Sequence, residues 1–298
     1  MRRLFDLPYL LLTLTTLFWS GNMVIGRGIR ADVPPFGLAF WRWTLALCLI
    51  LPFAWPHLRT QWPLVKRHWR PIVLLGALGV GGYNTFAYLA LQYTTAINAT
   101  MLNSLIPVAT LLLTVLLLGR RLQRLEVIGV VLSLIGVSVI VTHGNPAMLL
   151  DWQFNPGDFW MLIAVMVWGL YTVGLHWRPG GMHPMVLLAA MTVVGITVLA
   201  PAWAWELSQG RHIALNPGSI TAIVYTAIFP GFLGYVFYNR GVAMVGPSRA
   251  ALFIHLMPVF GTLLSVIFLD ELPALFHGAG IALILSGIWL TTRHPERH

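Results

Sequence analysis

Charge is scarce in this chain: only 9% of its 298 residues are Asp, Glu, Lys or Arg, and nine of them are acidic. A water-soluble domain carries about 25% charged residues, so this sequence is not built for water. Cysteine is nearly absent. Cys48 stands alone in an apolar run, which excludes a disulfide framework and a Cys-based metal site. The Gly-rich stretch from Gly76 to Gly82 lacks the Gly-Lys-Ser/Thr that closes a phosphate loop, so it reads as close helix packing and offers no ATP site. No His-Glu-x-x-His occurs, the histidines are scattered, and Asp6, Glu126, Asp158, Asp270 and Glu271 flank apolar runs without entering them deeply. Those gaps argue against a membrane-embedded enzyme, and no cofactor or metal is expected.

Apolar length is what the chain has in abundance: 58% hydrophobic residues and a mean hydropathy of +0.79. A bilayer core about 30 Å thick needs about 20 apolar helical residues. Ten stretches qualify, roughly 7–28, 36–56, 71–93, 96–118, 125–142, 157–177, 183–205, 217–240, 247–269 and 274–292, with Pro and Gly between them and the longest connections near 57–70 and 143–156. The first follows Arg2-Arg3 but is too long for a signal-peptide core and lacks a cleavage site, so it is read as a retained span.

The net charge of +9 does not point to nucleic acid, because the basic residues sit in short inter-span loops. A cytoplasmic N-terminus puts Arg2, Arg3, Arg59, Lys66, Arg67, Arg70, Arg120, Arg121, Arg124, Arg178, Arg240, Arg249, Arg293 and Arg297 inside. Only Arg27, Arg30 and Arg211 then lie outside, and Arg42 stays within the second span. Positive residues collect on the cytoplasmic side, so both termini are expected there.

The second half repeats the first at a step of about 151 positions. Asn98 to Val108 falls on Arg249 to Val259, Phe86 on Phe237, Gly129 on Gly280 and Gly136 on Gly287, without a gap. A repeated unit with an odd number of spans must re-enter the membrane upside down, and inverted repeats of that kind usually enclose a site reached alternately from either side. The fold expected is all-α integral membrane, ten transmembrane helices as two inverted five-helix repeats.

These residues resemble the EamA-type members of the drug/metabolite transporter superfamily. Trp41-Arg42-Trp43 matches an Arg in the second helix, Ala96 to Pro107 and Pro247 to Pro258 match a small-residue stretch before a mid-helix Pro, and Asp270-Glu271 matches an acidic closure. The chain departs from that pattern in having Gly119-Arg120-Arg121 at the first closure and no Arg in the seventh span. The resemblance implies two EamA-like repeats, 1–145 and 155–298. It also implies a secondary transporter that exports an amino acid or related metabolite across the inner membrane by alternating access, with membrane lipids as surroundings. A lipid-linked substrate flippase is the alternative, ahead of an enzyme or receptor. Oligomeric state is not legible.

A small-molecule site is expected where polar and aromatic residues recur inside spans: Trp19 with Asn22; Asn84, Tyr88 and Gln92 at one-turn spacing; Trp168 with Tyr171; and Tyr238. An intrahelical Pro leaves the carbonyl four residues earlier without its donor. Pro107 and Pro258 therefore draw attention to Asn103, Ser104 and His255, which either line a cavity or sit in helices bent only for packing. Arg42 has two readings: snorkelling to headgroups between interfacial Trp41 and Trp43, or facing the cavity to meet an anionic group. With no acid deep in a span, passage down a substrate gradient is favoured, and proton coupling through His255 is the weaker option.

Overall fold

The computed structural model describes residues 6–119, 123–145, 155–245 and 253–292. Arg2, Arg3, Arg120, Arg121, Pro247, Arg249, Arg293 and Arg297, which entered the reading above, lie outside these. Every regular element among the described residues is helical. Eight helices are long and apolar enough to cross a membrane: α1 (Pro8–Gly28), α2 (Pro35–Arg67), α3 (Trp69–Tyr93), α4 (Ala96–Leu118), α5 (Arg124–Val141), α6 (Pro156–Trp177), α7 (Pro184–Ser208) and α8 (Pro217–Gly241). Two shorter apolar helices follow, α9 (Phe253–Leu269) and α10 (Leu275–Thr292). Large apolar side chains such as Leu116, Ile128, Val193 and Phe268 stand exposed on the outside, the pattern that lipid stabilises and water does not.

The helix starts are written in the sequence. Pro8, Pro35, Pro156, Pro184 and Pro217 occupy first turns, where the missing N–H has no helical partner to lose. Thr95, Asn155 and Asn216 cap the helices they precede with their side-chain oxygens. One boundary differs from expectation. The segment near 57–70 is no loop, because α2 runs on through Pro52, Pro56 and Pro63 to Arg67. Those prolines project within about 40° of one another on a 3.6-residue helix, so the backbone groups they leave unpaired lie on one side and the helix survives.

The repeat seen in sequence reappears in the backbone. Ser133 donates to the carbonyl of Ile284, the residue 151 positions on. At that same offset lie two π-helical stretches, Gly76–Gly82 within α3 and Ala227–Leu233 within α8. So do the segments Ile106–Leu118 and Met257–Leu269, and α5 and α10 themselves. Gly119 and Asp270, both left-handed with φ of 69° and 54°, end the equivalent segments. Pro107 and Pro258 sit in the first turn of those resumed segments, so each marks a break and restart, not a bend in a continuous helix.

α5 and α10 pack through glycine. A Cβ on Gly136 would stand 2.7 Å from the carbonyl oxygen of Gly280, and one on Gly287 would strike the carbonyl of Gly129. Rising numbers on α5 meet falling numbers on α10, so the two helices are antiparallel. The contacts are also reciprocal between equivalent positions, as a two-fold relation requires.

Candidate functional site

At the centre of the bundle a cavity of about 30 Å³ is bounded by α1, α2, α3, α4, α6, α8 and α9, room for a water or two. Its polar wall is built around Arg42, which is 2% exposed. One Nη is shared among Asn22 Oδ1 at 3.2 Å, Asn84 Oδ1 at 2.5 Å and Tyr88 Oη at 2.8 Å. Tyr88 in turn donates to Asn22 Oδ1 at 2.6 Å. Asn84 and Tyr88 lie one turn apart on α3 just after its π-helical stretch, so both reach the same guanidinium.

No carboxylate stands within ion-pair distance of Arg42 among the described residues, and its Nε has no hydrogen-bond partner. A guanidinium keeps its charge under burial. Neutral amide and hydroxyl acceptors offset only part of its lost hydration, an arrangement chemically suited to an anion.

The other wall is aromatic. Trp168 lies 4.7 Å from Tyr83, 6.2 Å from Trp19 and 5.0 Å from Tyr171 between ring centres. Tyr235 stands 6.3 Å from Trp19 and 5.5 Å from Trp43, and Tyr238 stands 5.3 Å from Trp19. Trp19 donates its indole N–H to the carbonyl of Pro230 at 3.3 Å, within the π-helical stretch of α8. Such stretches leave backbone carbonyls off the regular ladder, a common arrangement at functional sites. Tyr83 donates to Asn103 Oδ1 at 2.9 Å, and Asn103 donates to the sulfur of Met257 at 3.4 Å.

Of the residues singled out from sequence, Trp19, Asn22, Arg42, Asn84, Asn103 and Trp168 line the cavity. Tyr88 holds Arg42 from behind, and Tyr171 and Tyr238 back the aromatic wall. Three others do not line the cavity. Gln92 lies beyond the site, near the end of α3, where its carbonyl accepts from Arg27 at 3.3 Å. Ser104 turns back on its own helix, donating to the Thr100 carbonyl at 3.5 Å. His255 is displaced by Ile254, which takes the lining place. α9 opens with a 3₁₀ turn, Phe253–Leu256, whose tighter winding rotates side chains differently from an α-helix.

Two further readings change. Trp43 is 0% exposed, so only Trp41 is placed for an interface. Acids near the ends of their helices are nonetheless buried: Glu206 at 0%, Asp158 at 1% and Glu126 at 3%. Asp158 accepts from Thr94 at 2.5 Å and from Asn98 at 3.5 Å.

Tyr83 and Tyr235, aromatic residues of the third and eighth spans, line it as well, and Met23, Ile106, Ile254 and Met257, absent from the sequence-derived set, complete the lining. The signal that finds Ile254, from Asn103, is the repeat. Asn84 and Tyr235, Asn103 and Ile254, and Ile106 and Met257 are equivalent pairs at the offset of the Ser133–Ile284 bond, and all line one cavity.

A second cavity, about 760 Å³, opens sideways between α1, α8 and α9. Apart from Thr221 and Tyr225 its lining is apolar, with Leu17, Phe18, Ile25, Phe229 and Phe268 prominent. Ahead of α7, the ring of His183 stacks on that of His57 at 4.0 Å. Burial, and then the neighbouring His57, lower its pKa below the ordinary 6.5.

A model of the EamA-like transporter family matches residues 6–142 and again 155–293. An "uncharacterized transporter" of Archaeoglobus fulgidus is 30% identical over 288 residues, covering 95% of this chain and 96% of its own. A "probable terminal-alkyne amino-acid exporter" of Streptantibioticus cattleyicolor is 25% identical over 226 residues, 74% of this chain and 72% of its own. A protein of known crystal structure superposes with a TM-score of 0.60 at 20% identity, covering 96% of each chain, a likeness of fold alone.

Proposed function

The chain belongs to the EamA-like transporter family. From that premise we propose that it is a ten-span secondary transporter, with units 1–145 and 155–298 inverted in the membrane. It exports an amino acid or a related metabolite across the inner membrane by alternating access, with both termini cytoplasmic. The observation that supports this best is Arg42: a buried cation with no carboxylate partner among the described residues, facing a wall of Trp and Tyr. A substrate carboxylate suits the guanidinium through charge-assisted hydrogen bonds. Aromatic faces suit an apolar side chain or an ammonium group, and the exporter from Streptantibioticus carries that substrate class in its name.

A metabolite pocket occupies about 300–1,000 Å³, whereas this cavity holds about 30 Å³. The conformation is therefore contracted around the site, and binding requires it to open. The antiparallel, reciprocal packing of α5 and α10 supports the inverted arrangement. His255 lies off the cavity lining, which favours passage down a gradient over proton coupling at that residue. The sideways cleft is too apolar for a headgroup, which speaks against a flippase. The test is transport of radiolabelled amino acids by reconstituted protein: saturable uptake lost in Arg42→Ala supports the reading, and uptake indifferent to that change removes it.

A further inference from the structure

We propose that Glu206 and Glu271 form the gate that closes the central site on one face of the protein. The inference builds on the transport reading but concerns how the site is reached. Glu206, near the end of α7, accepts from the backbone N–H groups of Phe36 at 3.3 Å and Gly37 at 2.8 Å, the first turn of α2. Glu271, between α9 and α10, accepts from those of Ala96 at 3.3 Å and Ile97 at 3.2 Å, the first turn of α4. It also lies 3.6 Å from Arg27 Nε, and Arg27 donates to the carbonyl of Leu91 at 2.9 Å at the end of α3. One second-half carboxylate therefore binds the start of α2, and the other ties together the ends of α1, α3 and α4.

The first N–H groups of a helix have no partner within the helix and carry the positive end of its dipole. A carboxylate placed there makes charge-assisted bonds that hold or release the helix end as a unit. The two helices so held are the ones that carry the site. Arg42 lies six residues beyond Phe36, about 9 Å along α2, and Asn103 lies seven beyond Ala96, about 10 Å along α4.

Carboxylates also join the halves at Asp158, which accepts from Thr94 and Asn98, and at Asp6, 3.7 Å from Arg240. Two other contacts between the halves differ in kind. At the other end of α2, Gln61 accepts from His183 N–H at 2.7 Å and donates to the Gly181 carbonyl at 3.4 Å, a neutral amide in place of a carboxylate. α5 and α10 meet backbone to backbone through glycine, too closely to part without losing dispersion contact along their length. The glycine seam is suited to be the pivot, and the carboxylate clamps to be the contacts that break.

The experiment uses full-length protein in oriented proteoliposomes. Cys48 is replaced by Ser, and Met23→Cys places a single thiol in the cavity. Labelling by a membrane-impermeant thiol reagent is timed from each side. Replacing Glu206 and Glu271 together with Ala is expected to speed labelling from the face of the α1–α2 loop by at least about tenfold, the size of effect that losing a charge-assisted hydrogen bond produces. A bismaleimide joining Gly37→Cys to Ile213→Cys, positions where a Cβ on residue 37 would stand 3.3 Å from the Ile213 side chain, is expected to slow labelling from that face in protein whose clamps are intact. An unchanged rate in both arms, or acceleration only from the opposite face, overturns the gate. The cross-link arm decides the matter if the double Ala variant does not fold. Labelling needs no substrate, so it stands or falls separately from the assignment of an amino acid.

Discussion

The two halves of this chain share a backbone but contribute unequally to the site. The charged and amide side chains on the cavity wall, Asn22, Arg42, Asn84 and Asn103, all come from the first half. The aromatic wall draws on both, Trp19 and Tyr83 from the first and Trp168 and Tyr235 from the second. Their π-helical stretches, helix restarts and left-handed caps fall at equivalent positions. The side chains have parted: Asn84 answers to Tyr235, and α7 carries no Arg to answer Arg42 of α2. Duplication thus preserves the irregular backbone that shapes a cavity. Divergence gives it one charged wall and one aromatic wall, so a substrate with one anionic end and one apolar end has a single favoured orientation.

That division can be broken most severely at Arg42. Arg42→Ala removes the one charge that lines the cavity among the described residues and leaves Asn84 Oδ1 without its donor, at a cost of about 1–3 kcal/mol, while Tyr88 and Asn22 keep the bond between them. Transport by reconstituted vesicles is expected to vanish while the protein still purifies as a monodisperse species. Arg42→Lys is expected to restore little, because an ammonium lacks the planar fork that meets a carboxylate in bidentate fashion.

The shared backbone is tested next. Gly136→Ala and Gly287→Ala each press a methyl into the opposite helix, and overpacking costs about 1–3 kcal/mol. The two are expected to lower the thermal unfolding temperature by similar amounts, because they are equivalent in a reciprocal contact. Gly278→Ala, where a Cβ meets nothing within 4 Å, is the control and is expected to leave it unchanged. Unequal effects at 136 and 287 would weaken the two-fold relation.

Smaller effects are expected on the aromatic wall. Trp168→Ala removes ring contacts worth about 0.5–1.5 kcal/mol each beyond area burial. It should raise the half-saturation concentration several-fold while leaving sensitivity to Arg42 intact. The smallest concerns the His57–His183 stack. The native pKa of His183 is lowered, so the contact is at full strength above the ordinary value near 6.5. It weakens as pH falls below that value, where the separated ring takes up a proton and the stacked one resists. Unfolding temperatures at pH 7.5 and 5.5 should differ more for the wild type than for His183→Asn.

Much of the fold was legible because hydropathy and the repeat are properties of the chain itself. Pro8, Pro156 and Pro217 open helices where the sequence puts them, and Gly136 and Gly287 announce close packing by spacing alone. The site was legible where a residue is costly in lipid: Arg42, Asn84 and Asn103 had to find polar company inside. It was illegible where local winding decides, as at His255, which a 3₁₀ turn carries off the lining in favour of Ile254. Long-range partners were hidden too. Glu206 reads as the wet end of an apolar run, and its partners, Phe36 and Gly37, lie 170 and 169 residues away. The length of α2 was missed because three prolines look like loop, yet they project from one side of a continuous helix.

The most direct measurement is a thermal-shift comparison of the purified protein with metabolites offered in pairs, each carboxylate beside its own methyl ester. A ligand that binds only the folded state raises the unfolding temperature. If Arg42 receives a substrate carboxylate, members of the acid series will stabilise the wild type, their esters will not, and Arg42→Ala will abolish the difference. Equal shifts from acid and ester, or a difference that survives in Arg42→Ala, would contradict it.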